Sequence, residues 1–199
     1  SIHENNNELL DAIGRITRDY PSNRLIRQLT RCSTEYGCLC ARNFFLSRHE
    51  APIPTSRACN ARCLGCLSLQ KDSGFSESQY RIDFNPTPGE IAETMLHHAL
   101  RVDNSVMSFG QGCEGEPLLR GSDLASAIRM VREKTDRGTI HLNTNGSLPS
   151  VVSDMIDAGL DSIRVSLNSP SRHYYDRYFR QQSYSFDDVM RTISIAIDA

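Results

Sequence analysis

The sequence has no apolar run near the ~20 residues that a helix needs to cross a bilayer, and its first residues lack the basic-then-apolar order of a secretory signal. It also lacks an excess of charge of either sign. Lys+Arg 22 and Asp+Glu 24 leave a net charge of −2, which gives no electrostatic argument for nucleic acid or for an anionic membrane as a partner. These absences predict a cytoplasmic protein with no membrane association, and they leave nucleic-acid binding unsupported.

A secreted disulfide framework fits the sequence poorly as well. The chain has 7 cysteines, an odd number, and its 199 residues exceed the size of the usual disulfide-dense module. A hydrophobic content of 39% is enough to build a sizeable core without cross-links. The cysteines are therefore predicted to serve metal or redox chemistry in a reducing compartment.

The segment CNARCLGC carries Cys59, Cys63 and Cys66 in the spacing C-x3-C-x2-C, and we call these residues the cysteine triplet. A structural zinc site uses four protein ligands, whereas a [4Fe-4S] cluster held by only three cysteines keeps one iron free to bind another molecule. The spacing therefore favours a cluster with an open iron. The alternatives are a zinc site whose fourth ligand lies elsewhere and a set of unrelated buried thiols.

A second group of cysteines, Cys32, Cys38 and Cys40, precedes the triplet, and its spacing matches no metal site with a clear mechanism. Two interpretations are open. The three cysteines pack as small apolar groups in an N-terminal lobe, or they bind a second cluster or a zinc ion with an outside ligand such as His49 or Cys113. The first interpretation is favoured.

Hydrophobic periodicity divides the chain into a helical first part and a second part that alternates helices with strands. Leucines and isoleucines at helical spacing predict one helix over residues 7–19 and another around residues 25–29. Pro52 and Pro54 mark a break between the two parts. We therefore predict a helical, cysteine-containing N-terminal extension over residues 1–50 and a main domain over residues 51–199.

The main domain alternates short apolar strands with helices, which predicts parallel strand pairing. Thr87, Pro88 and Glu90 are typical of the N-cap, the first-turn proline and the capping-box acid of a helix that extends to about residue 101. The other predicted elements are strands over 105–110, 139–146 and 162–169, and helices over 122–135, 149–158 and from 186 onward. The last helical pattern reaches Ala199 without a capping glycine, and there is no initiating Met, so we expect a fragment in which one more strand should follow.

Polar, glycine-rich segments follow the predicted strands at their carboxyl ends, where parallel α/β folds place their chemistry. These segments are CNARCLGC, GQGCEGEPLL, NTNG and SLNS. In this order and placement they resemble the motifs of the radical S-adenosylmethionine (SAM) superfamily. The resemblance covers roughly residues 51–199. It implies an α/β fold with a partial (βα)6 TIM-like barrel of the radical SAM type, here truncated after about four βα units.

The resemblance also implies which residues bind the cofactors. The cysteine triplet holds three irons of a [4Fe-4S] cluster, and the fourth iron binds the amino and carboxylate groups of SAM. Gly115, Glu116 and Pro117 match a Gly-Gly-Glu-Pro segment whose polar groups accept the methionine ammonium, with Glu114 in place of the first glycine. Glu116 is the predicted acceptor, because a carboxylate near an ammonium makes a charge-assisted hydrogen bond. Glu114 shares this task or faces solvent.

Polar residues of two later strands complete the implied pocket. Ser166 and Asn168 match positions that reach the ribose hydroxyls or the methionine carboxylate, and their spacing puts both side chains on one face of the predicted strand. Asn143 is predicted to point into the pocket. Asn145, followed by Gly146, is predicted to make only a turn.

Two positions depart from the family pattern. Many members carry an aromatic residue just before the third cysteine to contact adenine, whereas this chain has Gly65, so another group must supply that contact. Cys113 lies in the segment GQGCEGEPLL, residues 110–119, which we call the glycine loop. A structural thiol, a ligand of an added cluster and a participant in substrate chemistry are all open interpretations of Cys113. An aromatic and arginine-rich segment over 172–180 is predicted to pack its aromatics as a helix face rather than to bind a nucleotide.

The predicted function is that of a radical SAM enzyme. The resemblance implies that the cluster, reduced by an electron donor such as flavodoxin or ferredoxin, cleaves SAM to methionine and a 5'-deoxyadenosyl radical, which abstracts a hydrogen from an unknown substrate. The alternative is a non-enzymatic, cysteine-rich zinc or iron-sulfur binding module that acts as a regulator or interaction protein. Glu116 and the glycine loop would then have no shared purpose.

Overall fold

The computed structural model describes residues 6–69 and 76–199, and its central feature is a parallel sheet in the order β1-β2-β3-β4. The strands are Glu50–Pro52 (β1), Val106–Phe109 (β2), Thr139–Thr144 (β3) and Ser162–Val165 (β4). All three neighbouring pairs are parallel, and Met107 of β2 lies opposite both Ala51 and Ile140. The prediction of an α/β domain with parallel strands is confirmed.

The described residues also form eight α-helices, none of which has the length and apolar character needed to span a bilayer. In chain order they are Asn6–Asp19 (α1), Arg24–Thr34 (α2), Leu39–Phe45 (α3), Pro88–Ala99 (α4), Gly121–Arg132 (α5), Pro149–Ala158 (α6), Arg172–Phe179 (α7) and Phe186–Asp198 (α8). A short 3-10 helix, Pro117–Arg120, directly precedes α5. The predicted helices agree with these bounds to within a few residues, but the sequence pattern did not reveal α3.

Local capping explains where several helices begin and end. Thr87 and Glu90 form the predicted capping box, in which the Thr87 hydroxyl accepts from the Glu90 N–H and the Glu90 carboxylate accepts from the Thr87 N–H. Ser185 and Asp188 form an equivalent box at the start of α8. α6 ends at Gly159, whose φ of 110° lies in the left-handed region that glycine adopts without strain.

The two faces of the sheet differ in polarity, and this difference positions the site. Side chains such as Met107 and Leu142 point into an apolar core shared with α4, α5 and α6. The residues that alternate with them, such as Ser108 and His141, are polar and lie on the opposite face. The sheet therefore has one face covered by helices and one face lined with hydrogen-bonding groups.

The helices α1, α2 and α3 form a second apolar cluster, which includes Phe44 of α3 and also Ala51 of β1. They also contact the sheet and the helices that cover it. Leu25 of α2 lies in the main apolar core, and Arg24 forms a salt bridge with Glu90 of α4 at 2.7 Å. The division into an extension over 1–50 and a main domain stays a prediction, and residues 1–5 lie outside the described residues.

Candidate active site

The cysteine triplet lies in the loop that follows β1, at the carboxyl end of the sheet. Its three thiols form no disulfide, and each is partly exposed. They line a cavity of about 200 Å³. The predicted site residues that share this lining are Gly115, Glu116, Pro117, Asn143 and Ser166. The fold thus brings together the motifs that the sequence placed after four different strands.

Gly115 lets the loop after β2 lie directly against the triplet loop. The Gly115 N–H donates to the carbonyl of Ser56 (2.6 Å), and the Glu116 N–H donates to the carbonyl of Ala58 (2.8 Å). A Cβ at position 115 would lie 1.9 Å from the carbonyl oxygen of Ala58. Only glycine fits at this contact. The path of the chain into Cys59 therefore depends on it.

The buried side chain of Glu116 joins the loop after β2 to the end of β3. One carboxylate oxygen accepts from the Thr144 hydroxyl (2.5 Å) and the Leu118 N–H (3.1 Å), and the other accepts from the Asn145 N–H (2.8 Å). Burial raises the pKa of Glu116 to about 7, although these hydrogen bonds oppose the rise. A carboxylate has about four lone-pair sites, so Glu116 braces the loops and retains one site for a ligand.

Glu114 is buried, so the expectation that it faces solvent is wrong. Its carboxylate accepts hydrogen bonds from the N–H groups of Gly110 (2.6 Å), Thr55 (2.7 Å) and Ser56 (3.0 Å) and from the Thr55 hydroxyl (2.9 Å). Three of these bonds go to Oε2 and one goes to Oε1, so Oε1 retains one lone-pair site, and Glu114 also lines the cavity. Burial raises the pKa of Glu114 to about 7, again against these hydrogen bonds. Glu114 therefore joins the loops after β1 and β2.

Asn143 lines the cavity, but its amide is engaged in the sheet. Its side-chain nitrogen donates to the carbonyl of Phe109 (2.8 Å) and to the hydroxyl of Ser108 (3.1 Å), both in β2. Its side-chain oxygen lies 3.2 Å from Nε2 of His141. With both amide hydrogens in use, only the oxygen of Asn143 is left to meet a ligand.

Asn145 does more than make the predicted turn. Its side-chain oxygen accepts from the Ser147 N–H (3.0 Å), and Gly146 follows with a φ of 71°, so the turn is present. Its side-chain nitrogen also donates to the side-chain oxygen of Asn60 in the triplet loop (2.8 Å). No sequence pattern predicts this second contact, because it depends on two loops that meet only in the fold.

β4 ends at Val165, so the predicted strand over 162–169 was too long. The Ser166 N–H still donates to the carbonyl of Thr144 (2.8 Å), and Ser166 lines the cavity. Asn168 is exposed and is not part of the cavity lining. The prediction that both side chains share one strand face is wrong, because the alternation of faces holds only within a strand.

Arg81 is a site residue that the sequence did not reveal. Its Nη2 lies 3.5 Å from the sulfur of Cys66, and its Nε donates to the hydroxyl of Ser68 (3.0 Å). Arg81 also lines the cavity. The guanidinium therefore places a positively charged hydrogen-bond donor beside one of the three thiols. Arg81 belongs to an irregular segment in which no periodicity or spacing could have indicated it.

α7 packs against the triplet loop and brings aromatic side chains to it. The Arg62 N–H donates to the carbonyl of Phe179 (3.0 Å), and Phe179 lines the cavity. A Cβ at Gly65 would lie 2.7 Å from the hydroxyl oxygen of Tyr178, so this glycine leaves room for the tyrosine. The predicted helix over 172–180 is confirmed, and two of its aromatics lie next to the triplet loop, where this chain lacks the aromatic residue of the family pattern.

The chemistry of the triplet fits an iron-sulfur cluster. Burial raises the pKa of Cys63 to about 12 and also raises that of Cys59. Metals bind cysteine as the thiolate, so binding a cation here displaces protons from these two thiols. Three thiols at the rim of a cavity suit a cluster that keeps one iron open to a small molecule.

Comparison with known proteins agrees with this geometry. A sequence model described as the Radical SAM superfamily matches residues 53–199 of the chain. The chain belongs to the radical SAM superfamily. The matched residues span the sheet from its first loop onward and contain the whole cysteine triplet and the glycine loop.

Several relatives of this radical SAM protein are named as GTP 3',8-cyclases. A probable GTP 3',8-cyclase of Halobacterium salinarum is 29% identical over 146 residues, which is 71% of this chain and 37% of that protein. The GTP 3',8-cyclase of Chlorobaculum tepidum is 28% identical over 152 residues, 73% of this chain and 42% of that protein. A probable GTP 3',8-cyclase of Methanopyrus kandleri is 38% identical over 84 residues, 42% of this chain and 26% of that protein. The chain therefore matches less than half the length of each relative.

Proposed function

We propose that this protein is a radical SAM enzyme that holds a [4Fe-4S] cluster on Cys59, Cys63 and Cys66. When bound there, the cluster supplies an electron, received from a donor such as flavodoxin or ferredoxin, that cleaves SAM to methionine and a 5'-deoxyadenosyl radical for hydrogen abstraction from a substrate. The observation that carries the proposal is the set of three thiols, none in a disulfide, at the rim of a cavity lined by the glycine loop.

The residues around the cavity have separate tasks in this proposal. Glu116 accepts the methionine ammonium at its one unused lone-pair site, and its bonds to the ends of two strand loops hold it in place. Ser166 offers its hydroxyl to the ribose or the carboxylate of SAM from the end of β4. Phe179, which lines the cavity, supplies the aromatic surface for adenine that Gly65 cannot provide, so in this proposal α7 does more than pack its aromatics.

The sheet and the thiols support two further parts of the proposal. The four parallel strands, with their polar face turned away from α4, α5 and α6, form part of a (βα)6 barrel whose lumen is that polar face. None of the seven cysteines forms a disulfide, which suits a reducing compartment such as the cytoplasm.

The test is anaerobic reconstitution with iron and sulfide, followed by electron paramagnetic resonance of the reduced protein with and without SAM. We expect the signal to change when SAM is added, because SAM binds the open iron. The same experiment tests the alternative of a non-enzymatic metal module, which predicts one unchanged signal in both samples. Production of 5'-deoxyadenosine in the reduced sample with SAM completes the assay.

GTP is a second, more specific candidate for the substrate. It is favoured by the relatives named as GTP 3',8-cyclases, which match the part of the chain that contains the cavity. The polar face of the sheet also presents Arg164 and His141 to a second cavity, where a cation can meet a phosphate. Addition of GTP, but not of ATP, is expected to raise the yield of 5'-deoxyadenosine. Equal yields with and without GTP would remove this candidate.

A further inference from the structure

Four cysteines from distant parts of the chain lie together outside the triplet. Cys32 is near the end of α2, Cys38 and Cys40 are at the start of α3, and Cys113 is in the loop after β2. The Cys38 N–H donates to the carbonyl of Cys32 (2.9 Å), and Cys40 follows in the first turn of α3. Gln111, two residues before Cys113, lines the same cavity as Cys40, and the charges of the other three thiols act on the Cys113 thiol or are acted on by it. We call these residues the thiol quartet.

We propose that the thiol quartet is a second metal site, in which four cysteine thiolates bind an iron-sulfur cluster or a zinc ion. Four thiolates are a complete ligand set for either metal centre. The two centres share this chemistry of soft, negatively charged sulfur ligands around a cation, and metal analysis distinguishes them. The site does not depend on the proposed radical function, because it uses none of the residues of the triplet.

Apolar packing accounts for only part of the thiol quartet. Cys32 and Cys113 are buried, with 3% and 8% of their surface exposed, and Cys32 lies in the apolar cluster of the first three helices. Cys40 differs from them, because it is partly exposed and lines a second cavity of about 440 Å³. A thiol kept only for packing has no reason to face a polar cavity.

Cys113, and not His49, supplies the fourth ligand. Both were predicted as candidates for this role. His49 is exposed and directly precedes β1, so it lies at the amino end of the parallel sheet. Cys113 follows β2 and therefore lies at the carboxyl end, where α3 begins with Cys38 and Cys40. The fold thus separates His49 from the quartet by the length of a strand.

The thiol quartet adjoins the polar face of the sheet. The cavity lined by Cys40 shares Gln111, Asn143 and Arg164 with the cavity of the triplet. Gln111 donates from its side chain to the carboxylate of Glu50 in β1 (3.0 Å), and both residues line the second cavity. A metal at the quartet would therefore border the same polar region as the triplet.

In both cysteine groups the side chains must move closer together to bind a metal. Within residues 6–69 and 76–199, no group of three or more His, Cys, Asp or Glu side chains is already arranged to hold a metal ion. This holds for the triplet, which carries the family motif, as well as for the quartet. Cys38 and Cys40 are only partly buried at a helix start, so their side chains have room to turn toward Cys113.

The test is the metal content of the full chain after anaerobic reconstitution with iron and sulfide, once with zinc and once without it. We expect about eight irons per chain, or about four irons and one zinc, because the quartet adds a second centre to the triplet. A variant with all three triplet cysteines changed to alanine is expected to keep the second centre. Wild-type protein with about four irons and no zinc, or a triplet variant with no metal, overturns the proposal.

Single substitutions locate the second centre. Cys40→Ser and Cys113→Ser are expected to remove its iron or zinc and to keep about four irons. Circular dichroism and thermal melting show which variants fold, and the half-exposed Cys40 is the safer position. His49→Ala is the matched control and is expected to keep both centres. Loss of the second centre in His49→Ala but not in Cys40→Ser would overturn the ligand assignment. If the parent protein bound the metal of the quartet but no iron at the triplet, only the proposed radical function would be contradicted.

Discussion

The cysteine triplet and the thiol quartet differ in where their ligands come from. The triplet occupies one loop, residues 59–66, and its thiols face a cavity. The quartet joins α2, α3 and the loop after β2, and two of its thiols are buried. Three protein ligands leave a metal centre open to a small molecule, whereas four close it. In our proposals one group therefore serves chemistry and the other holds the N-terminal helices to the sheet.

Cys63→Ala is expected to have the largest effect, because it removes one ligand of the open centre. We predict the loss of about four irons and of all 5'-deoxyadenosine production, with the metal of the quartet retained. Iron and zinc analysis and product chromatography check this. Leu64→Ala, at the exposed neighbouring position in the same loop, is the matched control and should keep the irons. If Cys63→Ala still formed 5'-deoxyadenosine at the parental rate, the triplet assignment would be wrong.

Glu116→Gln tests how the loops around the triplet are held. The carboxylate accepts bonds from two backbone N–H groups and one hydroxyl, and a glutamine would direct its NH2 at one of these donors. We expect the free energy of unfolding to fall by about 2 to 3 kcal/mol, as measured by chemical denaturation. Equal stability of variant and parent would show that the carboxylate is not tied to these donors.

The sequence indicated the triplet from a single motif, whereas it left two interpretations of the N-terminal cysteines open, with His49 and Cys113 both candidates for an outside ligand. The spacing of Cys59, Cys63 and Cys66 is local, so it could be read from one segment. The quartet needs Cys113, which approaches the other three only because β1 and β2 pair. For the same reason, periodicity located the strands and helices, but not the contact of Arg81 with Cys66. Contacts between loops depend on tertiary packing, and a single sequence carries no spacing signal for them.

The next prediction concerns His97 of α4, which lies at the contact between the N-terminal helices and the rest of the protein. It is buried against Phe44 and Tyr20, and burial, followed by the charge of Arg101, lowers the pKa of His97 to about 4. Because the folded state disfavours the charged imidazole, the unfolded state takes up its proton first as the pH falls. His97 therefore lowers stability between the ordinary histidine pKa and about 4, by about 2 kcal/mol at about pH 5.

His97→Phe should remove this loss of stability. We expect the free energy of unfolding of the variant to decrease less than that of the parent between about pH 7.5 and about pH 5. Denaturant titrations at several pH values measure the two slopes. His173→Phe changes an exposed histidine on α7 and should leave the parental slope unaltered. Identical slopes for His97→Phe and the parent would contradict the assignment.

Gly65→Ala is expected to have the smallest effect, although it lies between two cysteines of the triplet. The new Cβ would lie 2.7 Å from the Tyr178 hydroxyl, but this is the end of a side chain that can turn away. We expect the free energy of unfolding to fall by about 0.5 kcal/mol, and Tyr178→Phe in the same chain should restore it.

Gly115→Ala provides the contrast, because its Cβ would meet the backbone oxygen of Ala58 at 1.9 Å, and a backbone atom cannot move alone. Thermal denaturation should therefore show a loss of stability at least several times larger for Gly115→Ala than for Gly65→Ala, and iron analysis should show whether the triplet still binds its irons. Equal losses for the two alanines would mean that the triplet loop is as rigid toward α7 as toward the glycine loop.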